Sequence, residues 1–158
     1  MVVLITEMFR FSISDQDIED IIQLLKQLTS QEKEYEPLEV RIIVSHPDLR
    51  LYVFRDEESW RIVGMASFKI DKVRMLTHNY TKGFIGDVVV NTDYRGRGIG
   101  KILMEKCIEK ARQIGAKQVN LTSNPNNPSR TTAIKLYEKL GFQKIGTLNE
   151  SNYYRLEL

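Results

Sequence analysis

Apolar and polar positions follow two rhythms along this chain, and each change of rhythm marks an element boundary. Ile18, Ile21, Ile22, Leu24, Leu25 and Leu28 recur every three or four residues, which predicts an amphipathic helix. Ser14 and Asp17 set its start with capping-box spacing, Asp standing in for the usual Glu or Gln. Met1 to Ile5 reads as a first strand, completed or followed by Glu7 to Phe11. A shorter helix is predicted over Pro37 to Val44, since proline suits a first helical turn, and His46-Pro47-Asp48 ends it. Leu51 to Arg55 and Trp60 to Ile70 read as a hairpin through the polar Asp56-Glu57-Glu58-Ser59. Residues 71–82 form a polar connection whose shape the pattern does not set. Phe84 to Val90, a helix from about Gly98 to Ile114 and a strand at 117–122 then make a β-α-β unit. A helix at 129–140 and strands near Phe142–Thr147 and Asn152–Glu157 complete the chain. The elements predict an α/β fold, a mixed sheet with helices on both faces. With no repeat or linker, residues 1–158 are expected to form a single domain.

Composition narrows the class. A hydrophobic share of 42% with 28% charged residues is ordinary for a globular protein. A net charge of +2 is too small to imply nucleic acid or a membrane surface as partner. No apolar run reaches the ~18 residues of a membrane helix, and the N-terminus lacks the basic flank and cleavage site of a signal peptide. The lone Cys107 excludes an internal disulfide and suits a reducing cytoplasm, the expected location.

The most specific stretch is Gly86-Asp87-Val88-Val89-Val90 followed by Arg95-Gly96-Arg97-Gly98-Ile99-Gly100-Lys101. Apolar residues stop at Asn91, a glycine-rich loop follows, and helical spacing resumes at Ile102. Closely spaced glycines let backbone N–H groups point outward together, and a helix N-terminus adds partial positive charge, so the loop suits an anion such as a phosphate. It is not a Walker loop, which would need glycine at Arg95 and Ser or Thr at Ile102. It is not a dinucleotide fingerprint either, because the spacing is Gly96-x-Gly98-x-Gly100. Downstream, Ser129-Arg130-x-x-Ala133-Ile134-x-Leu136-Tyr137-Glu138-Lys139-Leu140-Gly141-Phe142 ends a helix on Gly-Phe.

Together these two motifs resemble the GCN5-related N-acetyltransferase (GNAT) superfamily, over roughly Phe84 to Leu158. The resemblance implies a twisted, mostly antiparallel central sheet, acetyl-CoA as co-substrate with no metal, and a small-molecule or peptide amine as acceptor. A homodimer is implied only by family habit. It also implies a coenzyme pyrophosphate held at Arg95, Gly96, Arg97, Gly98, Ile99, Gly100 and Lys101. The pantetheine arm would lie along the backbone of Val88, Val89 and Val90, whose side chains are structural, as an added strand would. The closing motif implies Tyr137 as general acid and coenzyme contacts at Asn124, Ser129, Arg130 and Tyr137. Asn124, Asn126 and Asn127 also read as turn formers. The strands bearing Asp87 and Thr122 are implied to splay apart around the thioester, with a backbone N–H near Val88 as oxyanion donor.

Two departures matter. Relatives carry Glu-Asp where this chain has Gly86-Asp87, so the base is open among Asp87, His78 and water relays. Arg130 stands where an asparagine is frequent. Cys107 falls mid-helix on a core face, which disfavours an acyl-enzyme and favours direct attack. The expected activity is acetyl-CoA-dependent N-acetylation of a primary amine. The alternatives are a non-catalytic acyl-CoA-binding module on the same fold and transfer with another acyl donor or acceptor. Acceptor contacts are expected from residues 15–50, the 71–82 connection and the C-terminal strands.

Overall fold

The structure, a computed structural model, describes residues 5–8, 12–29, 33–126 and 130–158. Among them the chain runs β1 (Ile5–Met8), α1 (Asp15–Leu28), α2 (Pro37–Val44), β2 (Leu49–Arg55), β3 (Ile62–Arg74) and β4 (Asn79–Val90). A 3-10 turn at Thr92–Tyr94 leads to α3 (Ile99–Gln113), β5 (Gln118–Ser123), α4 (Thr131–Lys139), β6 (Gln143–Leu148) and β7 (Ser151–Glu157). The strands form one seven-stranded sheet in the order β1-β2-β3-β4-β5-β7-β6. Only β4 and β5 pair in parallel; every other neighbour is antiparallel. The expected mixed, mostly antiparallel sheet with helices on both faces is therefore the observed architecture.

Local chemistry sets the helix starts. The Ser14 hydroxyl accepts from the Asp17 N–H at 3.1 Å, and the Asp17 carboxylate accepts from the Ser14 N–H at 3.0 Å, closing the capping box. Ile18, Ile21, Ile22 and Leu24 of α1 then pack on Val53, Ile62, Met65 and Val89 of the sheet. On the opposite face α3 buries Leu103, Met104, Cys107 and Ala111 against Tyr52, Phe68, Ile85 and Val119. Full burial of each large apolar side chain contributes about 1.5–3 kcal/mol, so these two layers hold the sheet between them.

Residues 71–82, whose shape the sequence left open, extend the hairpin. The β3–β4 hairpin continues through them, pairing Asp71 with Lys82, Val73 with Tyr80 and Arg74 with Asn79. Both faces of this extension meet solvent, so it carries no alternating apolar pattern, and backbone pairing holds it instead.

A buried ion pair ties α1 to β2: Arg55 meets Asp17 at 2.8 Å with both side chains largely enclosed. Burial opposes the Asp17 charge, but the Ser14 N–H, the Arg55 guanidinium and the Ser14 hydroxyl outweigh it and hold the carboxyl below its ordinary range. Asp17→Ala would leave Arg55 buried without its counter-charge and is expected to cost about 3–5 kcal/mol at pH 7. Because the folded carboxyl titrates below its unfolded value of about 3.9, its stabilisation is complete above that pH and lost as pH falls through the folded value. Urea midpoints of both proteins between pH 7 and 2.5 check this: the gap should narrow only on the acid side.

Candidate functional site

The parallel ladder between β4 and β5 is short. It joins Lys82 to Gln118, Gly83 to Val119 and Phe84 to Asn120, and then stops. Beyond Phe84, β4 continues to Val90 paired only with β3, while β5 continues to Ser123 paired with β7. A gap thus opens between the carboxyl ends of two neighbouring strands. One edge of β4 from Ile85 onward has no strand partner there, so it can accept another extended chain.

A bulge bends β4 inside that gap. Ser67 faces Gly86 and Met65 faces Val89, so Ala66 alone lies opposite both Asp87 and Val88. Asp87 takes the left-handed conformation this requires, with φ 47°. Non-glycine residues seldom adopt it, and such strain concentrates at working sites. The Ser67 hydroxyl donates to Asp87 Oδ2 at 2.8 Å, which fixes the exposed carboxylate. The side chain of Val89 is buried in the α1 layer, so a ligand can meet it only through its backbone.

The glycine-rich loop lies where β4 hands over to α3. Gly98 is the N-cap of α3 and supplies no side-chain cap, so the first N–H groups of the helix are open to an incoming anion. Gly96 and Gly98 have φ of 77° and 80°, and a Cβ at either would meet open space. Their lack of side chains therefore serves backbone conformation and access rather than packing. Gln27 of α1 braces the loop, its Oε1 accepting from the Thr92 N–H at 3.0 Å. Arg95 donates to the Val90 carbonyl at 3.0 Å, Arg97 donates to the Asp93 carbonyl at 3.2 Å, and Lys101 pairs with Glu105 at 3.6 Å. All three cations stay near the loop. Ile99 is different: its side chain is 3% exposed and sits in the α3 core, so only its N–H can serve an anion.

Tyr137, on α4, is 4% exposed and packs edge-on to Phe142 and Tyr154, with ring centres 6.4 and 6.0 Å away. Its hydroxyl makes no hydrogen bond to a described residue. Burial raises the phenol above its ordinary range, partly countered by the nearby Arg130 charge, so the phenol keeps its proton at neutral pH. Arg130 reaches across to the end of α1 and donates to the Leu28 carbonyl at 3.3 Å. Asn124 accepts from the Asn126 N–H at 2.8 Å, the geometry of a turn former. Ser129 and Asn127 lie outside the described residues.

His78, read from sequence as a possible base, sits at the tip of the β3–β4 hairpin, bonded to Thr77 at 2.9 Å and stacked on Tyr80. At ~3.3 Å per residue, that is roughly 30 Å along the strand from Asp87. His46 accepts from the Asp48 N–H at 3.2 Å and is a turn residue.

Two features escaped the sequence. Ser123, the last residue of β5, is 6% exposed, and its Oγ is the one buried side-chain polar atom without a partner among the described residues. The second is a cleft of about 300 Å³ on the α1/α2 face, walled by Ile21, Leu25, Val40, Ile43, Leu51 and Met65 and reached by Ser67 and Asp87. Residues 15–50 supply most of its wall, and none of the described residues of the 71–82 extension or the C-terminal strands lines it. No pattern marks it, because its residues come from five elements, α1, α2, β2, β3 and β4. Among the described residues no cluster of His, Cys, Asp or Glu could hold a metal ion, and no helix is long and apolar enough to cross a membrane.

Comparison with known proteins agrees with this geometry. The model of the Acetyltransferase (GNAT) family matches residues 16–142. A glucosamine 6-phosphate N-acetyltransferase of Trypanosoma brucei brucei is 32% identical, over 83% of this chain and 86% of that protein. An uncharacterized N-acetyltransferase of Porphyra purpurea is 30% identical over 66% of this chain, the match spanning only 53% of that longer protein. The crystal structure of Arabidopsis thaliana NAA60 in complex with acetyl-CoA superposes with a TM-score of 0.77 at 19% identity, covering 99% of both chains, a likeness of fold.

Proposed function

The chain belongs to the GNAT acetyltransferase family, and from that premise we propose that it transfers the acetyl group of acetyl-CoA to a primary amine by direct attack in a ternary complex. The observation that carries this proposal is the gap where β4 and β5 part after Phe84 and Asn120, flanked by an uncapped helix N-terminus. A pyrophosphate suits the N–H groups of 96–100, with Arg95, Arg97 and Lys101 adding charge. The peptide-like pantetheine arm suits the unpaired edge of β4 at Val88–Val90. Ser123 offers its unpartnered hydroxyl from the β5 side.

The thioester then lies in the gap, between Asp87 and Tyr137. Asp87, directly or through water, takes a proton from the ammonium so that the nitrogen lone pair is free. The nitrogen attacks the carbonyl carbon, a C–N bond forms, and the carbonyl oxygen becomes an oxyanion beside a backbone N–H near Val88. As the oxyanion collapses the C–S bond breaks, the thiolate takes the Tyr137 proton, and the nitrogen, cationic since the attack, gives up its second proton to water. The products are the N-acetylated amine and the free thiol of coenzyme A; Tyr137 regains a proton from solvent and Asp87 releases one. Cys107 is fully buried, and burial raises its thiol, which disfavours an acyl-enzyme. A cytoplasmic location belongs to the same proposal and rests on that single buried thiol.

Asp87→Asn tests the proposed base. It is expected to lower kcat/KM for the amine by ~10²-fold or more while leaving acetyl-CoA affinity nearly unchanged. Stopped-time assays of thiol release, with calorimetric titration of acetyl-CoA, measure both. Near-parental turnover across pH would remove Asp87 as base and point to a water relay. Tight acetyl-CoA binding with no turnover of any amine by the parent would favour the non-catalytic binding module.

A further inference from the structure

Resting on the acetyltransferase proposal, we infer that the acceptor is an alkyl- or arylalkylamine, a primary amine on an apolar body, seated in the α1/α2 cleft with its ammonium at Asp87. Much of the wall is apolar, with Ile21 and Leu25 from α1, Val40 and Ile43 from α2, and Leu51 and Met65 from the sheet, while Thr29, Lys33, Tyr35 and Glu39 also line it. The hydrogens of its hydroxyls are already committed. Thr29 donates to the Leu25 carbonyl at 3.0 Å and shares a hydrogen bond with the Tyr35 hydroxyl at 3.1 Å, while Ser67 donates to Asp87. A sugar brings a hydroxyl on nearly every carbon, and those that face the aliphatic part of the wall would lose water with no polar group there to replace it. An apolar body loses nothing and removes apolar surface from water on both sides.

Charge points the same way. The described lining carries two carboxylates, Asp87 and Glu39, against one ammonium, Lys33. Lys33 is itself held over the Tyr35 ring at 5.1 Å. A cationic amine complements that balance, and a phosphorylated one does not. A volume of about 300 Å³ stands at the small end of ligand pockets, room for one ring or a short branched chain.

The test measures initial rates of thiol release at saturating acetyl-CoA with 2-phenylethylamine, isoamylamine, glucosamine and glucosamine 6-phosphate. The two apolar amines are expected to exceed both sugars in kcat/KM by ~10²-fold. Ile43, 52% exposed, tolerates replacement. Ile43→Lys should raise KM for 2-phenylethylamine by ~10-fold or more, through lost apolar surface and added like charge. Its acetyl-CoA affinity, measured by calorimetry, should stay at the parental value. Faster turnover of glucosamine 6-phosphate, with the apolar amines inert, would overturn the acceptor class and uphold acetyl transfer. Turnover of 2-phenylethylamine indifferent to Ile43→Lys, with Ile43→Ser also silent, would overturn this seat. Acetyl-CoA binding without turnover of any amine would overturn the acetyltransferase proposal itself, and this inference with it.

Discussion

Replacing Tyr137 by phenylalanine is expected to lower kcat by ~10²–10⁴-fold, equivalent to roughly 3–5 kcal/mol of barrier, with little effect on coenzyme binding or stability. The substitution keeps the ring, so the edge contacts to Phe142 and Tyr154 survive and the core is not opened. What disappears is a hydroxyl that no described residue engages, so folding loses almost nothing. Thiolate expulsion, in contrast, loses the proton that makes sulfur a good leaving group. Coenzyme affinity can fall by one neutral hydrogen bond at most, about 0.5–1.5 kcal/mol. The diagnostic result is a split: parental melting temperature, near-parental dissociation constant and collapsed turnover. A Phe variant that turns over like its parent would remove Tyr137 as the acid. Because burial raises the phenol, loss of kcat through this group should begin only at a higher pH than for an ordinary phenol.

Gly98→Asp is expected to weaken coenzyme A binding by at least ~10²-fold, about 2.7 kcal/mol, while the protein stays folded. A Cβ at Gly98 meets nothing within 4 Å, so there is no clash to disrupt the fold. The left-handed backbone strains any side chain, but Asp tolerates that region better than most and is a favoured N-cap. The new carboxylate would sit at the α3 N-terminus and occupy, from within the chain, the place where the pyrophosphate is proposed to bind. Two like charges at close range add repulsion to that competition. Calorimetric titration with coenzyme A, alongside a thermal melt, separates the two effects; unchanged affinity in a folded variant would sink the phosphate-loop assignment.

How far the sequence could be read depended on whether a signal was local. The capping box at Ser14 and Asp17 and the helix at Pro37–Val44 were legible because each is specified by residues within one or two turns. The loop from Arg95 to Lys101 was legible because glycine spacing and helix onset are adjacent in the chain. The bulge at Asp87 was not, since it exists only through the register of β3 against β4, with Ala66 the odd residue out. The hairpin extension through Asp71 and Lys82 was missed because strands wetted on both faces have no apolar rhythm. The cleft was invisible for a further reason: Leu25, Ile43 and Met65 are distant in sequence and meet only when two helices close on one face of the sheet.

The gap between β4 and β5 has a consequence for how the protein would respond to its surroundings. The groups proposed to grip the coenzyme, the unpaired β4 edge and the open α3 N-terminus, meet the arm and the phosphates, which substrate and product share. Only the few atoms of the acetyl group distinguish the two. The spent carrier should therefore compete with the loaded one on nearly equal terms, and turnover would follow the ratio of the two forms rather than the amount of either. With the coenzyme held as proposed, the chain would slow when that pool is discharged even while acceptor is plentiful.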